Sequence, residues 1–285
     1  MNMQKRFTRS RFGSAVNLII LMLIGLFMVF PMVYTINNAF KPTDELFMFP
    51  PNLFVRNPTL DNFLDFSVLM RDSVVPMSRY FVNSFLITLI GVAGQVVLAS
   101  LAAYMISKHD FFGRNVLMEM VILSLMFTGS VTAIPNYIIM TKLHLINTHL
   151  SIILPAFCSS MGLFLMKQFI DQMIPHSLLE AARLDGAGEL YIFFRIVMPI
   201  CKPAWMTLII FSFQSLWNNA GSTYIFDEEL KTLPYAFNNV ASSGLIARAG
   251  VTAAVGLLMI LPPIVTFVIT QSNVLETMAT SGIKD

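Results

Sequence analysis

Six long stretches with almost no charge decide what this chain can become. They run from Phe12 to Phe40, Tyr80 to Ser107, Val116 to Thr141, Leu150 to Met166, Pro203 to Phe226 and Ala249 to Leu275. A helix rises 1.5 Å per residue, so about 20 residues cover the roughly 30 Å of bilayer hydrocarbon. The fourth run reaches that length only by borrowing residues at its ends. The runs are continuous rather than alternating, which favours helices over a barrel, whose strands turn an apolar side chain to lipid only at every second residue. Composition agrees. Of 285 residues, 56% are hydrophobic and only 12% charged, about half the charge of a soluble domain. The expected fold class is all-α, a polytopic membrane protein with six transmembrane helices.

Lys5, Arg6, Arg9 and Arg11 precede the first run, as in a secretory signal. The apolar part is too long for one, and no small-x-small cleavage site follows. The expected organisation is therefore an N-terminal segment 1–15, a retained first span 16–40, an outer loop 41–79, a core 80–274 and a tail 275–285. With the N-terminus inside, eleven of the 18 Lys and Arg fall in inner segments and seven in outer ones. That bias has the sign of the positive-inside rule. It places both termini and the segment 171–199 in the cytoplasm of a plasma-membrane protein. A net charge of +2 gives no reason to expect a nucleic-acid partner. Cys158 and Cys201 lie in or beside apolar runs and read as buried small hydrophobes rather than a disulfide. His144 and His149 have no carboxylate or cysteine beside them, so no metal site is expected.

The longest polar interruption in the second half is Ser177 to Gly188, followed by Glu189 to Pro199. Ser177 and Glu180 have capping-box spacing. Leu178, Leu179, Ala181, Ala182 and Leu184 then fit a helix of about two turns, and Asp185-Gly186 supplies its stop, since glycine tolerates the left-handed backbone that ends a helix. A second helix, Glu189 to Val197, is expected to end at Met198-Pro199. Small Ala181 and Ala182 permit close backbone approach, and the leucines give an apolar face for a helix-in-groove contact. Glu180 can serve as helix cap or as partner contact. An ordinary amphipathic connector between two spans would carry some of the same pattern.

At these residues the chain resembles a known family. Glu180-Ala181-Ala182, Gly186, Ile196 and Met198-Pro199 have the spacing of the EAA loop, which marks the membrane permeases of binding-protein-dependent ABC importers. Met198 stands where the family usually has Leu, a volume-conserving exchange. The resemblance implies a type I ABC importer permease fold. It also implies that Ser177, Leu178, Glu180, Ala181, Ala182, Asp185, Gly186 and Pro199 couple to an ATPase subunit. Asn37 to Pro42, Glu45-Leu46-Phe47, Thr59 to Phe63, Tyr80 to Ser84, Trp217-Asn218 and Lys231 to Pro234 look like the carbohydrate, maltose-type branch. Among the outer-loop residues, a solvated loop is an equally open reading.

Polar residues inside the spans are costly and point to a pathway. The third span carries Thr128, Gly129, Ser130, Thr132, Pro135 and Asn136; a bent pathway-lining segment and a bent packing helix are both open there. Gly91 and Gly94 in the second span suit close helix packing. Ser159 in the fourth span and Gln214, Trp217, Asn218 and Asn219 in the fifth complete the set. Trp217 with its two asparagines suits a carbohydrate path, by ring stacking and amide hydrogen bonds, or an interface anchor. Pro262-Pro263 should kink the sixth span.

No phosphate loop of the Gly-x-x-x-x-Gly-Lys-Ser/Thr type occurs, and no His-Glu-x-x-His, Gly-x-Ser-x-Gly or cysteine cluster, so no enzyme activity is expected. The expectation is a permease subunit with no cofactor of its own, ATP and Mg being held by two partner ATPase subunits. A second homologous permease and an extracellular solute-binding protein complete the implied assembly. An importer of amino acids, phosphonate or peptides, or a scaffold subunit of a membrane complex, are the rival readings.

Overall fold

The computed structural model describes residues 11–71, 75–242 and 249–281. The expected cytoplasmic ends beyond 11 and 281 lie outside the described residues. The described helices are α1 (Arg11–Phe40), α2 (Thr43–Leu46), α3 (Asp61–Arg71), α4 (Met77–Lys108), α5 (Arg114–Ser124), α6 (Gly129–Lys142) and α7 (Leu150–Phe157). They continue with α8 (Ser160–Met173), α9 (His176–Leu184), α10 (Glu189–Ile192), α11 (Met198–Ile200), α12 (Lys202–Trp217), α13 (Leu233–Ser242) and α14 (Ala249–Ser281). A π turn, Phe193–Val197, joins α10 to α11, and no strand occurs among the described residues. Four stretches, Gly13–Phe40, Met77–Lys108, Leu150–Met173 and Ala249–Ser272, are single spans by length and hydropathy; counting α5–α6 and the α10–α12 stretch as one bent span each gives six. The chain is an all-α polytopic membrane protein.

Contacts divide it into two units, Met1–Leu69 with Val240–Leu258, and Met70–Asn239 with Met259–Asp285. In the first, α1 is exposed along almost its whole length, as an apolar helix surrounded by lipid can be. The segment after it is more ordered than a solvated loop. The buried Glu45 carboxylate accepts the backbone N–H groups of Arg56 (3.0 Å) and Asn57 (2.8 Å). Asn62 donates its amide to Ala39 O (2.9 Å) and Lys41 O (2.8 Å). The residues that carried the outer-loop resemblance thus hold the turn in place, with Phe40 and Phe63 packed on Ala39, Ala254 and Leu257.

The second unit is built on α4, which packs against α7, α8 and α12. Its glycines make this possible. A methyl at Gly91 would lie 2.6 Å from Leu216, and one at Gly94 would run into Phe157. The third span bends by 114° between α5 and α6, at Leu125 to Thr128 rather than at Pro135, which sits inside α6. Thr128, in extended backbone, starts the new helix. The fifth span is shorter than expected: α12 ends at Trp217, and Asn218 to Phe226 is not helical. Asn219 accepts the Gly221 N–H (2.9 Å) and Gly221 takes φ +65°, which is turn chemistry that a polar Asn-Asn pair favours over helix. Pro262 and Pro263, expected to kink the sixth span, leave α14 an unbroken helical stretch.

Both tryptophans of the chain serve such interruptions. Proline 263 has no N–H for the carbonyl four residues earlier, at Met259. The indole N–H of Trp217 donates to that oxygen at 2.9 Å. Trp205 donates its indole N–H to Met198 O (2.9 Å), at the 80° bend before α12. In a membrane interior, where water cannot satisfy a carbonyl, such donors permit a helix to carry proline.

Candidate coupling element and polar cavity

Between α8 and α12 lie a helix, a glycine turn and a second helix. Helix α9 begins at His176 after Pro175, whose φ of −72° and ψ of 149° set the entry. The expected capping box is not formed. Ser177 is the second residue of the helix, its hydroxyl caps nothing, and Pro175, two positions earlier, has started the helix instead. Glu180 is exposed and makes no hydrogen bond or ion pair among the described residues. The stop is as expected. Gly186 takes φ +83°, its N–H donates to Arg183 O and that of Ala187 to Ala182 O, both at 3.0 Å. This is the Schellman pattern, which closes the last carbonyls of a helix. The second helix does not end at Met198-Pro199. It runs from Glu189 to Ile200, with the π turn ahead of Pro199 absorbing the missing N–H.

The leucines expected on one face divide. Leu179 is buried, with Ile192, Phe193 and Val197, in the core of the second unit, and Ala182 packs on that core. Leu184 is 89% exposed, and Leu190, Tyr191 and Phe194 are exposed too. The element is anchored by one face and offers an apolar second face, with Ala181, Glu180 and Asp185 also exposed.

A charged network fixes it to the end of α4. The Glu189 carboxylate accepts the Tyr104 hydroxyl (2.8 Å) and Arg183 Nε (2.7 Å), and lies 3.2 Å from His109 Nε2. Nearby, Lys167 Nζ pairs with Asp171 at 2.6 Å, and Ser107 donates to the same carboxylate. None of Tyr104, His109, Arg183 or Glu189 was singled out from the sequence. Arg183 and Glu189 straddle the glycine turn with opposite charge, a signal legible in advance. Tyr104 and His109 arrive from a distant helix and gave none.

The polar intramembrane residues are not gathered in one place. Ser159 caps α8 by accepting the Gly162 N–H (3.0 Å) and lines a cavity of about 350 Å³ with Gln95, Gly162, Ser212 and Ser215. Gln95 and Ser212 are buried, and the Ser212 hydroxyl has no partner. Gln95, Ser212 and Ser215 were missed; a lone amide in an otherwise apolar run was the available clue. Gln214 instead lines a separate cavity with Pro263 and Phe267 of α14. Thr128 and Ser130 are exposed and Asn136 half-buried, at the α5–α6 corner. Asn218 bonds back to Gln214 O (2.8 Å) and Asn219 is exposed beyond the helix end. Trp217 presents no free face. It is fully buried, stacked on Phe213 (5.7 Å, 13°) and edge-on to Phe81 (6.0 Å, 79°). It is a packing anchor in this structure, neither a stacking platform nor an interface residue.

A glycine-packed α4 against α7, α8 and α12, with a two-helix element ahead of α12 and up to six apolar spans in the chain, defines an importer-type permease fold. The chain belongs to the family described as the binding-protein-dependent transport system inner membrane component, whose profile matches residues 95–274. It is similar to the arabinooligosaccharides transport system permease protein AraQ of Bacillus subtilis (strain 168), at 28% identity over 92% of this chain and 93% of that one. It is also similar to the polygalacturonan/rhamnogalacturonan transport system permease protein YtcP of the same organism, at 31% identity over 70% of this chain and 66% of YtcP. Among solved structures it matches a bacterial ABC transporter involved in the import of the acidic polysaccharide alginate. That match has a TM-score of 0.80 and 20% identity, and covers 95% of this chain and 99% of the other. At that identity the likeness speaks to the fold.

Proposed function

We propose that this chain is one permease subunit of an ATP-driven importer of sugars or oligosaccharides, and that it forms half of the translocation pathway. The carrying observation is the element of residues 176–200. One face is locked into the core through Leu179, Ile192, Phe193 and Val197, while Leu184, Leu190, Tyr191 and Phe194 stand exposed. An apolar face of this kind at the end of a membrane bundle needs a partner. A pair of ATPase subunits, holding ATP and Mg, is the partner that a binding-protein-dependent system requires. A second permease and an extracellular solute-binding protein complete the assembly. The element and both termini lie on the cytoplasmic side, consistent with the bias in basic residues.

Sugar as the solute rests on the names of the similar permeases and on the cavity beside Ser159. Its amide and hydroxyls suit a neutral polyhydroxylated solute. Alternating access would follow from ATPase closure moving the 176–200 element against the spans. The test is purification of the tagged chain from its own membrane, followed by a glycan panel on the solute-binding protein that accompanies it. An ATPase, a second permease and selective glycan binding are expected. Recovery with an unrelated membrane complex and no ATPase would overturn the reading.

A further inference from the structure

One carboxylate joins three parts of the chain at the glycine turn. Glu189 opens α10, Arg183 closes α9 on the other side of the Gly186 turn, and Tyr104 and His109 end α4. All three neighbours converge on Glu189: Tyr104 Oη at 2.8 Å, Arg183 Nε at 2.7 Å and His109 Nε2 at 3.2 Å. Tyr104 is buried, its ring edge-on to His109 (5.1 Å, 82°) and tilted on Phe193 (5.8 Å, 45°). The Nδ1 atom of His109 is buried without a partner. His109 Nε2 also lies 3.5 Å from Arg183 Nη2, so the ring sits between the guanidinium and the carboxylate.

We propose that Glu189 is a positioning residue that ties the glycine turn to α4, so that displacement of the turn is delivered to that helix. The inference rests on the coupling reading above and adds the route. Two features of the site support it. First, the contact is between fixed ends. The turn is closed by its Schellman bonds and α4 is a single helix from Met77 to Lys108, so a clamp between them transmits motion instead of absorbing it. Second, α4 leads to the polar cavity. Gln95, nine residues up the same helix from Tyr104, lines it. Hydrogen bonds to an ionised carboxylate are about twice as strong as neutral ones and directional, which suits a mechanical link. The carboxylate has two oxygens, and each has a different donor, Arg183 on one and Tyr104 on the other, with His109 Nε2 3.2 Å from the second. Losing one oxygen's partner therefore leaves the turn tied to only one side.

The test uses the complete importer in proteoliposomes, with its ATPase and loaded binding protein. The variants are Glu189→Ala, Glu189→Gln and Tyr104→Phe, the last keeping the buried ring. Solute taken up per ATP hydrolysed is the readout, because a merely structural role would change the yield of complex but not this ratio. Glu189→Ala and Tyr104→Phe should retain the ATPase at wild-type stoichiometry yet lower the ratio at least fivefold. Glu189→Gln, which keeps an acceptor oxygen, should lose less than Glu189→Ala. A wild-type ratio in assembled Glu189→Ala, or loss of the ATPase from all three variants, would overturn the clamp and leave the importer reading intact. Absence of any ATPase from the unmodified chain would instead strike at the importer reading itself.

Discussion

Trp217→Phe separates a structural tryptophan from a solute-binding one. In the structure the indole N–H is the donor on Met259 O, at 2.9 Å, and Pro263 has no N–H to offer that carbonyl. Removing the donor leaves a carbonyl unmatched in a part-buried place within a membrane span, at a cost of about 1–3 kcal/mol. The smaller ring adds a cavity term because Trp217 is fully buried. At roughly 2–4 °C per kcal/mol for a chain of this size, the detergent-solubilised complex should melt about 2–12 °C lower. Solute KM should be unchanged, since neither face of the ring is free. The companion variant is Pro263→Ala, which returns an N–H in register with Met259 O. Combined with Trp217→Phe it should recover much of the lost stability, a non-additivity expected only of groups that share one acceptor. A raised KM with unaltered melting, or a double variant no more stable than Trp217→Phe, would refute the reasoning.

Other outcomes follow from the same geometry. Gly186→Ala forces a Cβ into a left-handed backbone at φ +83°, costing about 1–2 kcal/mol, although the space around it is open. Uptake should fall while membrane insertion holds, and a bulky residue there should abolish uptake; normal uptake by Gly186→Leu would contradict the docking role. Gly94→Ala, placed against Phe157, should lower the melting temperature of the purified chain far more than Gly188→Ala, whose added Cβ meets nothing. In the outer segment, the N–H groups of Arg56 and Asn57 hold the Glu45 carboxyl below its ordinary value. A depressed carboxyl contributes stability present above its unfolded pKa, about 4.3, and lost as pH falls through the lower folded value. Proteolytic resistance of the 41–62 segment should therefore decline only below about pH 4, and Glu45→Gln should blunt that dependence.

The spans were legible because hydrocarbon imposes an average requirement, apolar and about 20 residues, that a window of sequence reports directly. The stop at Gly186 was legible because left-handed backbone is local. What failed was also local but competitive. Ser177 has a cap's spacing, yet Pro175 opened the helix first. Pro135 read as the bend of the third span, yet it sits inside α6, and the bend falls at Leu125 to Thr128; in α14 the carbonyl that Pro263 leaves without a donor is served by an indole from another helix. The role of Trp217 depended on a residue 42 positions away. The Tyr104–Glu189 contact spans 85 positions. Neither has any signature in sequence order, and both are decided by which helices α4 and α12 meet.

For the proposed function, residues 176–200 must face the cytoplasm as a surface that another subunit grips. Its most direct test is Leu184→Cys in a Cys158→Ser background, labelled with a membrane-impermeant thiol reagent. Leu184 is 89% exposed and Cys201 is buried, so the signal reports position 184 alone. Labelling is expected in inside-out vesicles stripped of the ATPase, with protection when the ATPase is restored, and none from outside intact cells. Labelling from the outside would contradict it.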